Sequence, residues 1–166
     1  MFRQNQAGTM RLIAEPLTAE AFAPFGEVLE GPVGPGRARF DTALANRRPK
    51  ARPSLSFVSK TPLEALPLRT QVMERHRFSS QSFIPMEAGR WLAIVAPHAA
   101  GGGPDMARAR AFIARPDQGV TYGADVWHHP FTVLDRMARF AVLVWRDGTA
   151  ADDEFVDVAP FAVDLP

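Results

Sequence analysis

Apolar and polar positions along this chain change over short distances, and glycine or proline interrupts most apolar runs. Residues 11–16 read as a first strand. Thr18 is placed to cap a short helix over 19–22 that stops before Pro24, with Phe22 and Phe25 as core anchors and Gly26 as a turn. A strand is expected over 27–30. Residues 31–36 hold three glycines and two prolines and read as a loop. Residues 40–45 fit either a strand or one helical turn. Residues 46–53 are basic and flanked by proline, which suits a solvated loop or, alternatively, a clamp for an anionic substrate.

Over 54–59 the pattern alternates, with Leu55, Phe57 and Ser59 on one side and Ser54, Ser56 and Val58 on the other, as in a half-buried strand. Residues 61–67 make a crossing. Strands over 71–76 and 81–84 are expected to pair as a hairpin around a turn at 78–80. Residues 91–96 are almost wholly apolar, the pattern of a central strand. A loop over 97–104 precedes strands over 109–114, 119–122, 126–129, 131–134 and 140–145. Residues 154–158 read as an edge strand, and 159–166 as a loosely held tail. Many short strands without a long amphipathic helix predict a mainly β sandwich or barrel.

Composition narrows this little. The chain has 166 residues, 46% hydrophobic and 22% charged, which fits one domain with a sizeable core. Residues 1–10 are expected to be a flexible N-terminal extension and 11–166 a single domain. A net charge of +1 gives no reason to expect nucleic acid or an anionic membrane as partner. No apolar run approaches the ~20 residues that cross a bilayer, and residues 1–10 lack the apolar core of a signal peptide. The absence of cysteine removes disulfides, thiolate ligands and a cysteine nucleophile, and fits a cytoplasmic protein.

Chemistry concentrates in two stretches. In residues 73–86, Glu74 and His76 are two apart and face one way on a strand, with Gln81 on the returning strand. Taken alone, these groups could equally be solvated on a surface hairpin. The second stretch, 119–130, carries Tyr122, a turn over 123–125 and the adjacent pair His128 and His129, of which a strand can turn only one inward. Three of the four histidines fall in these two stretches.

The spacing Glu74-x-His76-x4-Gln81, followed by Gly119 and His128, resembles the two-part motif of the cupin superfamily. By that register Glu74 stands for a histidine and Gln81 for a glutamate, while His76 and His128 are kept. The chain also resembles the ureidoglycolate lyase (ureidoglycolate hydrolase) family of allantoin degradation, over residues 15–26, 74–85, 95–97, 117–122 and 126–130. The most specific segments are Glu-Arg-His…Gln-x-Phe-Ile-Pro and Trp-His-His-Pro. The resemblance implies a cupin-like double-stranded β-barrel (jelly roll), a homodimer, and cleavage of ureidoglycolate to glyoxylate and urea. The chain departs from the family pattern at Ser59, Thr121, Gly123 and Trp145, positions that could line the site.

Cleaving this carbinolamide means taking the hydroxyl proton, forming the aldehyde carbonyl and protonating the departing urea. His76 or His128 can serve as base, since imidazole titrates near neutrality. Glu74 can orient a histidine or act as the acid. Gln81 and Tyr122 suit the ureido amide. An arginine is the expected partner of the carboxylate. Arg75 faces away by strand parity, which leaves Arg39, Arg47 and Arg48. If a divalent metal such as nickel or zinc is used, His76, His128, Glu74 and Gln81 are the expected ligands; no organic cofactor is implied. Two other functions stay open: an amidohydrolase of ureidoglycolate or a related ureido acid that releases ammonia, and a non-catalytic cupin that binds a small carboxylic acid.

Overall fold

A computed structural model describes residues 8–166. Its elements in chain order are β1 (Met10–Ile13), β2 (Glu15–Pro16), α1 (Ala19–Phe22), β3 (Gly26–Glu30), β4 (Arg52–Lys60), β5 (Leu68–His76), β6 (Gln81–Glu87) and β7 (Trp91–Ala96). A single 3-10 turn, Met106–Arg108, then precedes β8 (Arg110–Ala114), β9 (Gln118–Tyr122), β10 (Trp127–His128), β11 (Thr132–Val133), β12 (Ala138–Arg146) and β13 (Asp153–Asp164). The Thr18 side chain accepts from the Ala21 amide and caps α1 as expected.

Two sheets face each other. The first runs β1-β13-β5-β10-β7-β8-β2, with β11 also on β7; the second runs β3-β9-β6-β12-β4. The result is the expected mainly β, cupin-like double-stranded barrel. Between the sheets lies an aromatic core of Phe22, Phe83, Trp91, Phe112, Tyr122, Phe131 and Phe140. A second core, with Leu12, Leu68, Met73, Leu92, Ile94, Trp127, Phe161 and Val163, covers the other face of the first sheet. Strand β7 is apolar throughout because it contributes alternate side chains to both. Gly26 is needed where β3 meets β9, since a Cβ there would lie 1.9 Å from the Thr121 carbonyl oxygen.

Several expectations change. Strands β5 and β6 belong to different sheets, as do β9 and β10, so neither chemical stretch is a hairpin. Residues 77–80 and 123–126 instead carry the chain from one sheet to the other. The tail is not loose. It lies within β13, where residues 161–164 run between β1 and β5 and bury Phe161, Ala162 and Val163, while residues 153–157 pair with β5 alone and keep the open side expected of an edge strand. Residues 40–45 form neither strand nor helix. Strand β4 turns the side carrying Ser54, Ser56 and Val58 inward, leaving Leu55 and Phe57 exposed at 65% and 72%. Of the expected N-terminal extension, residues 1–7 lie outside the described residues, and Met10 already opens β1, paired with Phe161.

Candidate active site

The two crossings exchange partners between the chemical stretches. Glu74 on β5 pairs with His128 on β10 in the first sheet, and Gln81 on β6 pairs with Tyr122 on β9 in the second. Five candidate side chains thus meet across the barrel, although not through the expected hairpins. Parity decides which way each points. Met73 and Trp127 belong to the outer core, so Glu74, His76 and His128 face inward; Phe83 and Val120 lie in the inner core, so Gln81 and Tyr122 do too.

His128 is almost fully buried, with 1% of its side chain exposed. Its Nδ1 lies 2.9 Å from the Val126 carbonyl oxygen, which fixes the proton there and leaves the Nε2 lone pair facing the pocket. Nε2 is 3.1 Å from Gln81 Oε1 and 3.3 Å from Glu74 Oε1. The ring stacks on Tyr122, with centroids 4.1 Å apart and planes 9° from parallel. His76 repeats the arrangement. Its Nδ1 meets Asp153 Oδ1 at 2.9 Å, and its buried Nε2 has no partner among the described residues. One ligand atom each from Glu74, His76 and His128 falls within 4.8 Å of the others.

The cluster therefore turns two imidazole Nε2 atoms, a carboxylate and the Gln81 amide oxygen toward one another. Such a set attracts a proton or a cation. Burial pushes the Glu74 carboxyl up, but the hydrogen bond and charge of His128, with the charges of His76 and His129, bring it net below its ordinary value. Burial, reinforced by Glu74, raises the Tyr122 hydroxyl far above its usual range, so it stays protonated. That hydroxyl is also buried without a partner among the described residues. His129 follows β10, its Nδ1 2.9 Å from the Val72 carbonyl oxygen, and the charges of Lys60, Glu74 and His128 reach it. Burial, foremost, lowers its pKa.

The arginines fare differently. Arg75 faces away as expected, bonded to Asp125 and Glu154 and lying 4.5 Å over the Trp127 ring. Arg48 is held at 3.0 Å from Asp147 and 3.1 Å from Asp152, and donates to the Trp145 carbonyl. It is a clamp rather than a free cation. Asp152 also takes the Phe78 amide and the Ser79 hydroxyl, so the clamp fixes the first crossing. Arg39 lies in an exposed loop, and Arg47 is exposed. The structure brings none of these arginines into the cluster. Of the departures from the family pattern, Thr121 and Ser59 face outward by parity, Thr121 bonding Ser82 at 2.8 Å. The Gly123 amide donates to the Phe25 carbonyl in the second crossing. Trp145 supplies its carbonyl to Arg48.

Two residues emerge that the motifs did not indicate. Asp153 orients His76 from 77 positions away, and no local pattern marks it. Lys60 continues the inward row of Ser54, Ser56 and Val58, an alternation visible in the sequence once its inward side is known.

A double-stranded β-barrel with a Glu-His-His cluster between its sheets defines a cupin-like, metal-capable site. The chain belongs to the ureidoglycolate lyase family, whose model, described as ureidoglycolate lyase, matches residues 9–164. A ureidoglycolate lyase of Brucella melitensis is 40% identical over 140 residues, 80% of this chain and 81% of its own. One of Mesorhizobium japonicum is 38% identical over 166 residues, 94% of this chain and 99% of its own. Among solved structures, RmlC from Streptococcus suis in complex with dTDP-D-xylose covers 61% of this chain and 46% of its own, at 16% identity and a TM-score of 0.36.

Proposed function

We propose that this chain is a carbon–nitrogen lyase that cleaves ureidoglycolate to glyoxylate and urea, a step of allantoin and purine degradation. The observation that carries this reading is the meeting of Glu74, His76, His128, Gln81 and Tyr122 between the sheets of a member of this family. His128 Nε2 takes the hydroxyl proton as the carbonyl forms. The carbon–nitrogen bond breaks, its electron pair stays on the urea nitrogen, and the imidazolium returns the same proton to that nitrogen. Atoms and charge then balance without water. Glu74, ionised beside His128, stabilises the imidazolium between the two transfers. Tyr122 donates to the ureido carbonyl, and Gln81 holds its amide.

The same donors fit a divalent transition ion such as nickel or zinc. Two imidazoles and a carboxylate suit it, with Gln81 as a weaker fourth ligand. Such an ion would polarise the substrate hydroxyl and lower its pKa. Asp153 behind His76 and the Val126 carbonyl behind His128 are the partners that metal-binding histidines normally have.

The test is incubation of the purified protein with ureidoglycolate, with and without chelator. Equimolar glyoxylate and urea without ammonia are expected. Ammonia would replace the reading with amidohydrolysis, and glyoxylate binding without turnover would reduce the protein to a non-catalytic cupin. Activity lost to chelator and restored by nickel or zinc would establish the ion.

A homodimer is part of the same reading. Leu55, Phe57, Ile84 and Met86 are all exposed on the outer face of the second sheet, beside the nine-residue edge strand β4. A second copy is the proposed cover. Light scattering should give a dimer that Phe57→Glu converts to monomer; a wild-type monomer would refute it.

A further inference from the structure

The site as described leaves the substrate's carboxylate without a partner, because Arg48 is taken up by two aspartates and Arg39 lies in an exposed loop. The chain has 19 basic residues, and only Lys50 and Lys60 are lysine. Lys50 is exposed beside Pro49. Lys60 ends β4 on its inward side, in the row of Ser54, Ser56 and Val58, and is half-buried. Its ammonium donates to the Phe131 carbonyl and lies 4.7 Å from the Phe131 ring centroid. Among the described residues it has no carboxylate within ion-pair reach. An ammonium carries three donors, and the Phe131 carbonyl uses one. Two remain for an anion.

We propose that Lys60 binds the substrate carboxylate and thereby sets which end of the substrate meets His128. This rests on the ureidoglycolate reading. Phe131 lies three residues beyond His128, so the carbonyl that steadies Lys60 and the imidazole belong to one short segment. Glu74 is near enough for its charge to act on Lys60, opposing the burial that lowers the ammonium's pKa. A hydrogen bond at each end, plus the span from carboxylate to hydroxyl within the substrate, covers ~8 Å. An anion arriving at Lys60 also supplies the counter-charge that a half-buried ammonium otherwise lacks.

The experiment compares wild type with Lys60→Met, which keeps length and loses charge, and with Lys60→Arg, which keeps charge. Glyoxylate and urea are titrated separately by calorimetry, and ureidoglycolate turnover is followed in parallel. Lys60→Met is expected to weaken glyoxylate at least tenfold, to leave urea unchanged, and to raise KM more than it lowers kcat. Lys60→Arg is expected to stay within about threefold of wild type for glyoxylate, since both side chains present an N–H donor and a positive charge. Unchanged glyoxylate affinity in Lys60→Met overturns the inference, as does wild-type protein that binds no glyoxylate. Equal weakening of urea and glyoxylate also overturns it, because that reports a damaged pocket. If Lys60→Met does not fold, Lys60→Gln is read by the same titrations. Wild-type protein that binds glyoxylate through Lys60 but does not turn over ureidoglycolate would remove the lyase reading and keep the anion site.

Discussion

Replacing Asp153 by alanine should impair catalysis far more than folding. Its carboxylate sits 2.9 Å from His76 Nδ1, and the two side chains are 36% and 13% exposed. A hydrogen bond this accessible is worth at most ~1 kcal/mol to stability. The positional effect is larger, because without Asp153 the ring can rotate or carry its proton on Nε2, withdrawing the lone pair that faces Glu74 and His128. Loss of the partner behind a functional histidine typically costs ~10–100-fold. The assay is steady-state ureidoglycolate cleavage beside a thermal melt. Asp153→Ala should lower kcat/KM by ~10-fold or more, with a melting shift within a few degrees. Asp153→Asn retains an acceptor and should recover much of the loss. A kcat/KM for Asp153→Ala within ~2-fold of wild type would refute the argument, since it falls below the effect expected of such a partner. An asparagine variant as poor as the alanine would show that charge matters rather than ring orientation.

Three further outcomes follow from the geometry. Tyr122→Phe removes a buried hydroxyl that has no partner among the described residues; urea denaturation should show stability unchanged or slightly raised, while turnover falls. Arg48→Met leaves Asp152 buried without its cation 3.1 Å away, and the same denaturation should show a loss of ~3 kcal/mol. The Glu74 carboxyl is held below its ordinary 4.5 in the folded protein. Its contribution is therefore complete above that pH and is lost as pH falls through the lower folded value; stability curves of wild type and Glu74→Gln should diverge less in acid than near neutrality.

What could be read from the sequence was whatever depends on parity and local chemistry. The apolar run of β7, the Thr18 cap and the inward sense of Glu74 and His76 all follow from neighbours within a few residues. Strand pairing does not. Residues 78–80, with two serines, and 123–125, with Gly123 and Asp125, have the look of hairpin turns, and the same look serves a crossing between sheets. Which of the two forms is decided by distant groups: Asp152 takes the Phe78 amide, and Asn46 bridges to Ser79. The tail looked loose because its interior partners, Met10 to Ile13 and Leu68 to Thr70, are far away in sequence. The alternation of β4 left open which side is inward, and it is the apolar side, with Leu55 and Phe57, that is exposed. Asp153 acts only through its contact with His76, at which nothing near it in sequence hints, whereas the β4 alternation places Lys60 on the inward side but says nothing of its contact with Phe131.

Because Glu74, His76 and His128 ride on one wall and Gln81 and Tyr122 on the other, neither wall alone makes a working pocket. Small sliding of wall against wall would misalign the reactive atoms long before circular dichroism registered any lost strand. Turnover is thus the most sensitive gauge of barrel integrity this molecule offers, and heat or denaturant should silence it ahead of any visible melting.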